Sequence, residues 1–211
     1  GIDRAVRTAG GGVRDELAKF KPNDRITLRI NSPGGDAFEA IAILTMLQQH
    51  KGGVDAQIDG IAASAASVLA TVGENVTIAD GAMVMIHNAW TVAAGNANEL
   101  TRAAQMLAKL DDKIVAAYKA KSGQDEATIL AKMQEETWFS SDEAIEFGLA
   151  DAKVEVASKA VAIPKEFGYR HAPAERIQQF DPGAKPDESR TPASIAAMRR
   201  RIDLATARRS A

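Results

Sequence analysis

The spacing of apolar and polar positions changes period repeatedly between residues 24 and 150. Over 24–31, Ile26, Leu28 and Ile30 alternate with polar neighbours, a period of two that predicts a strand. Over 38–50, Ile41, Leu44 and Leu47 share one face with Ala40 and Ile43 beside them, which predicts a helix. A short strand is expected at 54–59 and a small-residue, apolar helix at 64–72. Two more strands are expected at 75–78 and 82–87. Leu100, Ala103, Ala104, Leu107, Leu110, Ile114 and Tyr118 form one stripe of a long helix over 98–121, which Gly123 stops. Further helices are expected at 125–134 and 141–147, the second capped by Ser140 or Ser141 with Glu143 in its first turn. Gly10-Gly11-Gly12 lacks dinucleotide-loop spacing and reads as a loop. Strand and helix alternating in this order predict an α/β fold with a mainly parallel sheet.

Composition narrows the class. The chain has 211 residues, 45% of them hydrophobic, enough for one ordinary core. There is no cysteine, which excludes disulfides, cysteine-bound zinc, iron–sulfur clusters and a thiol nucleophile. The net charge of −2 carries no nucleic-acid signature. No apolar run approaches the roughly 20 residues of a membrane helix, and no signal peptide is evident. A soluble, cytoplasmic protein is expected. Charge is unevenly shared: residues 1–169 are net −6 and residues 170–211 net +4. The latter segment also holds Pro173, Pro182, Pro186 and Pro192. A domain over 1–157 and a basic, Pro/Arg-rich tail over 158–211 are therefore expected. Thr191-Pro192 could start a short tail helix near 192–209.

Three stretches could carry chemistry. His87 ends the apolar run Met83-Val84-Met85-Ile86, where a strand meets a loop. No second histidine stands near it and there is no metal-binding HExxH, so no metal is expected. Ser64 follows Gly60-Ile61-Ala62-Ala63 and opens an apolar helix. Its hydroxyl can simply cap that helix, or face a site flanked by unpaired backbone N–H groups that would hold an oxyanion. The Gly-x-Ser-x-Gly elbow is absent. Asn31-Ser32-Pro33-Gly34-Gly35-Asp36 joins a strand to a helix; it is an ordinary turn or one that turns a glycine N–H toward a ligand. A phosphate-binding lysine loop is missing.

Taken in order, these motifs resemble the Clp-type serine peptidases. The resemblance spans about residues 24–155. It includes Thr137-Trp138-Phe139-Ser140-Ser141-Asp142-Glu143-Ala144 and Phe147-Gly148-Leu149-Ala150-Asp151. Details such as Ala62-Ala63-Ser64-Ala65-Ala66-Ser67, Met85-Ile86-His87-Asn88-Ala89-Trp90-Thr91 and Glu136-Thr137-Trp138 look most like the phage head-maturation (prohead) branch. The resemblance implies a crotonase-like α/β spiral whose helix 98–121 is a protruding handle that pairs subunits. It implies Ser64 as nucleophile, His87 as general base, and the N–H groups of Gly35 and Ala65 as the oxyanion hole. The third catalytic position, an aspartate in the housekeeping subunit, is here Glu136. A glutamate there could orient the imidazole, or be a solvated charge beside a serine–histidine dyad. Glu135 is its nearest substitute; Asp111 and Asp112, in mid-helix, are poorer ones.

The implied function is a serine endopeptidase that uses no cofactor and cleaves scaffold or capsid precursor. It would work in the host cytoplasm or inside an assembling prohead, as a ring-like homo-oligomer with neither nucleic acid nor membrane as partner. Three alternatives stay open. One is a housekeeping-type subunit fed by an unfoldase. Another is a pseudoprotease serving as an assembly module. The last is acyl-CoA chemistry on the same fold, for which no adenine-phosphate site is evident.

Overall fold

The computed structural model describes residues 11–157, 163–164, 167–173 and 177–178. The expected tail helix at 192–209 lies outside them, as does most of the expected tail. The elements run α1 (Gly11–Leu17), β1 (Ile26–Ser32), α2 (Ala37–Gln48), β2 (Val54–Ala63), α3 (Ala65–Ala70), β3 (Val76–Asp80) and β4 (Met83–Ile86). They continue with α4 (Ala97–Ser122), α5 (Glu126–Gln134), β5 (Thr137–Ser140), α6 (Ser141–Phe147), β6 (Ala152–Ala157), β7 (Ile163–Pro164) and β8 (Ile177–Gln178). The fold is a mixed α/β spiral of the expected class, with a six-stranded curled sheet.

Strand β2 organises the sheet. One edge pairs with β1 in parallel, from Ile26↔Val54 to Ser32↔Ala62, with an irregularity between Ile30 and Ser32. The other edge serves two partners in succession. Ala56–Ile58 pair with β3, and Ile61–Ala63 pair with β4, both in parallel. This handover turns the sheet, because one strand lies in two ladders that diverge from it. Among the described residues only β5 runs antiparallel, laid along β4 with Met85 opposite Trp138. Strand β2 is apolar where both faces are covered: Val54, Ala56, Ile58, Ile61, Ala62 and Ala63 are all buried.

The helices start and stop where local chemistry directs. The Asp36 side chain accepts from the Glu39 N–H at the start of α2. Capping boxes begin α4 (Asn96 with Glu99) and α6 (Ser140 with Glu143). Ser140, rather than Ser141, is thus the cap of α6. Gly123 and Gly148 end these helices in the left-handed conformation, at φ 71° and 89°. The 26 residues of α4 span about 39 Å. Only its second half is buried, through Leu110, Ile114, Val115 and Tyr118; Leu100 and Met106 are exposed. The stripe read from the sequence therefore outruns the sheet beneath it.

Four sequence expectations change. The glycine run is not all loop, since α1 starts at Gly11. Strand β2 continues past Asp59 to Ala63, because β4 and Ser32 supply ladder partners there. Residues 137–140 form a strand, β5, whose pairing depends on β4 rather than on four residues of local pattern. Strand β6, absent from the sequence reading, extends the sheet beyond β3.

Candidate active site

Ser64 stands at the join of β2 and α3. Its backbone is at φ 54°, ψ −126°, one of two non-glycine residues with positive φ among those described. Such a conformation costs about 1–3 kcal/mol and persists only where its surroundings enforce it. Here they do. The Ser64 N–H donates to Met85 O (3.0 Å), while Ser67 N–H and Val68 N–H return to Ser64 O. The strained turn lifts the side chain off the helix: Ser64 occupies the N-cap position, yet its hydroxyl makes no cap bond. Instead Ser64 Oγ lies 2.7 Å from His87 Nε2. The helix-cap reading of Ser64 therefore gives way to a side chain aimed at the histidine.

His87 follows the last residue of β4, which lies beside the end of β2, so the sheet itself sets the serine–histidine distance. The glycine turn approaches from the other side. Gly34 sits at φ 108°, with its N–H donating to Ser32 Oγ (3.2 Å). A side chain on Gly34 would put its Cβ 2.8 Å from Ser64 Cβ and 2.8 Å from Ala63 O, closer than carbon atoms pack. The position thus needs glycine both for its dihedral and for its contact with Ser64. Gly35, the next residue, is exposed, and Ala65 is the buried first residue of α3.

A buried network supports Ser64 from below. Tyr118, 1% exposed on α4, has its hydroxyl 2.8 Å from Ser67 Oγ. Ser67 Oγ also lies 2.6 Å from Ser64 O and 2.7 Å from Met85 O. A hydroxyl has one proton, so Ser67 shares it between the two carbonyls and accepts from Tyr118. One side chain thereby ties α3, β4 and α4 together beneath Ser64. Burial pushes the Tyr118 phenol well above its ordinary pKa, which keeps it a donor.

Two carboxylates act on the loop side. Asp111 accepts from Asn88 Nδ2 (2.8 Å) and from the Ala89 N–H (2.7 Å). It clamps the two residues after His87 and holds them to α4. The sequence reading placed Asp111 among the poorer candidates because it sits in mid-helix; its role depends on the turn returning to that helix. Glu136 is 4% exposed, so it is not a solvated charge. Its carboxylate accepts from the His171 N–H (2.7 Å) and the Arg170 N–H (2.9 Å), with Trp138 Nε1 at 3.4 Å. Burial alone would raise its pKa, but these donors outweigh burial and hold it below the ordinary glutamate value. Among the described residues, its hydrogen bonds go to this backbone and to Trp138, and it reaches His87 through its field. Glu135 contributes its carbonyl, 2.6 Å from His171 Nδ1.

Residues 167–173 complete the surroundings. The Tyr169 ring stands edge-on to His87 (5.4 Å, 86°) and to Trp138 (5.7 Å, 71°). It packs against buried Ile61, Ala63 and Met85. Its hydroxyl donates to Pro33 O at 2.5 Å. Partial burial here lowers the pKa of His87; Glu136 and Asp111 oppose the shift and Arg170 adds to it. Burial thus favours the neutral imidazole. In the tautomer with its proton on Nδ1, Nε2 accepts a hydrogen bond from the Ser64 hydroxyl. Among the described residues, no group of three or more metal-ligating side chains occurs, and no helix is long and apolar enough to cross a membrane.

A serine held in a strained strand-to-helix turn, its hydroxyl 2.7 Å from a histidine ring nitrogen, is an arrangement that serine-nucleophile chemistry would need. The chain matches the Clp protease family model over residues 16–157. It belongs to the Clp protease family and is a Clp-type serine peptidase.

Proposed function

We propose that this peptidase is a phage-type head-maturation enzyme that cleaves scaffold or capsid precursor through an acyl-enzyme. The observation that carries the chemistry is the 2.7 Å contact between Ser64 Oγ and His87 Nε2. His87 takes the Ser64 proton as Oγ attacks the scissile carbonyl. The tetrahedral oxyanion is received by the N–H groups of Gly35 and Ala65, whose residues flank Ser64 from the glycine turn and from α3. Protonated His87 then gives its proton to the leaving amine, and a water activated by neutral His87 releases the acyl group. An oxyanion donor of this kind is typically worth about 3 kcal/mol. In this reading Glu136 stabilises the imidazolium through its charge. The reaction as written uses no cofactor.

The narrower assignment rests on sequence detail around Ser64, His87 and Trp138, and on the basic, proline-rich tail. Self-association into a ring-like homo-oligomer belongs to the same proposal. Support comes from the outer half of α4, where Leu100 and Met106 are exposed, and from Trp90 and Val92, the latter 87% exposed. Such apolar positions suit contact between copies. The enzyme would act in the host cytoplasm or within the assembling head.

The test is co-expression with a capsid precursor. Wild-type chain should convert the precursor and Ser64→Ala should leave it intact, read by intact-protein mass. Equal conversion by both would remove Ser64 as nucleophile. Conversion of general peptide substrates with no conversion of the precursor would remove the head-maturation role alone.

A further inference from the structure

We propose that residues 167–173 are a tethered occupant of the peptide-binding cleft and that Glu136 is the latch that holds them there. The inference rests on the reading of Ser64 and His87 as a peptidase pair and adds its regulation. A peptide entering this site must pass between the glycine turn and the Ser64–His87 pair. Tyr169 is already there. Its hydroxyl bonds Pro33 O, within the turn that presses on Ser64, and a Cβ built on Gly34 would meet both Ser64 Cβ (2.8 Å) and the Tyr169 hydroxyl (3.2 Å). The same small volume is thus shared by the nucleophile, the turn and the phenol. The ring covers one edge of His87 and fills a wall made by Ile61, Ala63, Met85 and Trp138.

The holding contacts lie one and two residues further on. The turn at 134–136 grips the segment at four points. Glu136 takes two successive backbone N–H groups, Glu135 O meets His171 Nδ1, and Gln134 O accepts from Arg170 (3.3 Å). Glu136 adopts φ 53° to do so. A carboxylate with two backbone donors is a strong, charge-assisted anchor. Two of these four points are main-chain donors, which any segment could offer; the Arg170 and His171 side chains supply the other two, and Arg170 Nε also lies 3.8 Å from Glu136 Oε2. The side-chain preference lies at Tyr169, so the incoming chain that displaces the segment is a peptide presenting an aromatic residue. Covalent attachment gives the occupant an effective concentration of about millimolar order, so the cleft stays covered at any dilution of the protein. Release uncovers Ser64 and, in the same step, frees the Glu136 carboxylate beside His87.

The test uses full-length chain and two readouts. The first is the rate at which diethyl pyrocarbonate modifies His87, mapped by mass spectrometry in a Ser64→Ala background so that it owes nothing to peptidase activity. Adding Tyr169→Ala should raise that rate at least about tenfold, and Glu136→Gln should raise it in the same direction. Tyr169→Phe, which keeps the ring and loses only the bond to Pro33, should give a smaller rise of about 2–10-fold, the worth of one ordinary hydrogen bond. It serves as the well-folded variant if the alanine is unstable. Unchanged His87 reactivity in folded Tyr169→Ala, or in folded Tyr169→Phe, overturns the occupant. The second readout is fluorophosphonate labelling of Ser64 in chains that retain it. Faster labelling of Tyr169→Ala than of wild type supports the proposal. Exposure of His87 without any labelling of Ser64 would keep the occupant and remove the peptidase reading beneath it.

Discussion

The platform under Ser64 and the segment above it are built from opposite materials. The platform consists of buried strand ends and a buried helix start, with polar groups tied to other elements: Ser64 N–H to β4, Ser67 to three partners, Tyr118 to Ser67. The cover is seven residues long, held by a few hydrogen bonds to a carboxylate and three carbonyls and by one aromatic ring set against His87 and Trp138. A site that must keep its geometry to a fraction of an ångström is embedded in the core. A part that must leave is fastened by contacts that water can replace. The difference teaches where stability and reactivity separate in this molecule: changes below Ser64 should damage the site, and changes above it should expose the site.

The largest expected effect breaks the platform's chemistry outright. His87→Ala should slow fluorophosphonate labelling of Ser64 by at least about a thousandfold with the fold retained, since an unactivated serine is a poor nucleophile. Labelling at the wild-type rate would mean that another base serves Ser64. Next comes the support beneath it. Ser67→Ala leaves the buried Tyr118 hydroxyl without its acceptor and should cost about 1–3 kcal/mol of stability, seen as a lower Tm. Adding Tyr118→Phe should recover part of that loss, because the orphaned group is then gone. Failure of the double variant to recover would show that the network is not a paired one.

A smaller effect sharpens the contrast between the regions. His87 has its pKa lowered by burial, so its base form persists to pH values below the ordinary histidine value of about 6.5. The acid limb of the labelling rate should therefore lie below that value. Arg170 in the cover pushes in the same direction as burial. Arg170→Ala should move the acid limb upward while the plateau rate at high pH does not fall. A downward move would contradict the sign of Arg170's action. The smallest effect lies far from both regions. Arg29 pairs with Asp59 by two hydrogen bonds on the exposed face of β1 and β2. Arg29→Ala should leave the labelling rate unchanged and Tm nearly so, as exposed ion pairs add little.

The sequence made the platform legible because its signals are local. Alternation at Ile26, Leu28 and Ile30, the small residues before Ser64, and the apolar run ending at His87 each lie within a few neighbouring positions. Ordered along the chain, the motifs around them resemble those of the Clp-type peptidases, and that resemblance joined Ser64, His87 and the glycine turn into one expectation. The cover was not legible. The Tyr169–Pro33 bond joins residues 136 positions apart, and nothing in either neighbourhood announces the other. Glu136 was singled out as the residue that would orient the imidazole, but the contacts that fill its carboxylate were not legible. The donors that occupy it are backbone N–H groups of Arg170 and His171, and a main-chain donor carries no residue signature. Strand β5 was hidden for a related reason: Thr137–Ser140 is four residues long, and its partner β4 lies some 50 residues earlier in the chain.

The backbone at Ser64 has a further meaning as a record of selection. A position at φ 54°, ψ −126° is one where glycine relieves strain of about 1–3 kcal/mol, against roughly 0.5–1 kcal/mol for its greater freedom in the unfolded chain. Drift under selection for stability alone favours glycine there. A serine at that position is held against the gradient of stability. That conflict is the mark of a residue retained for use.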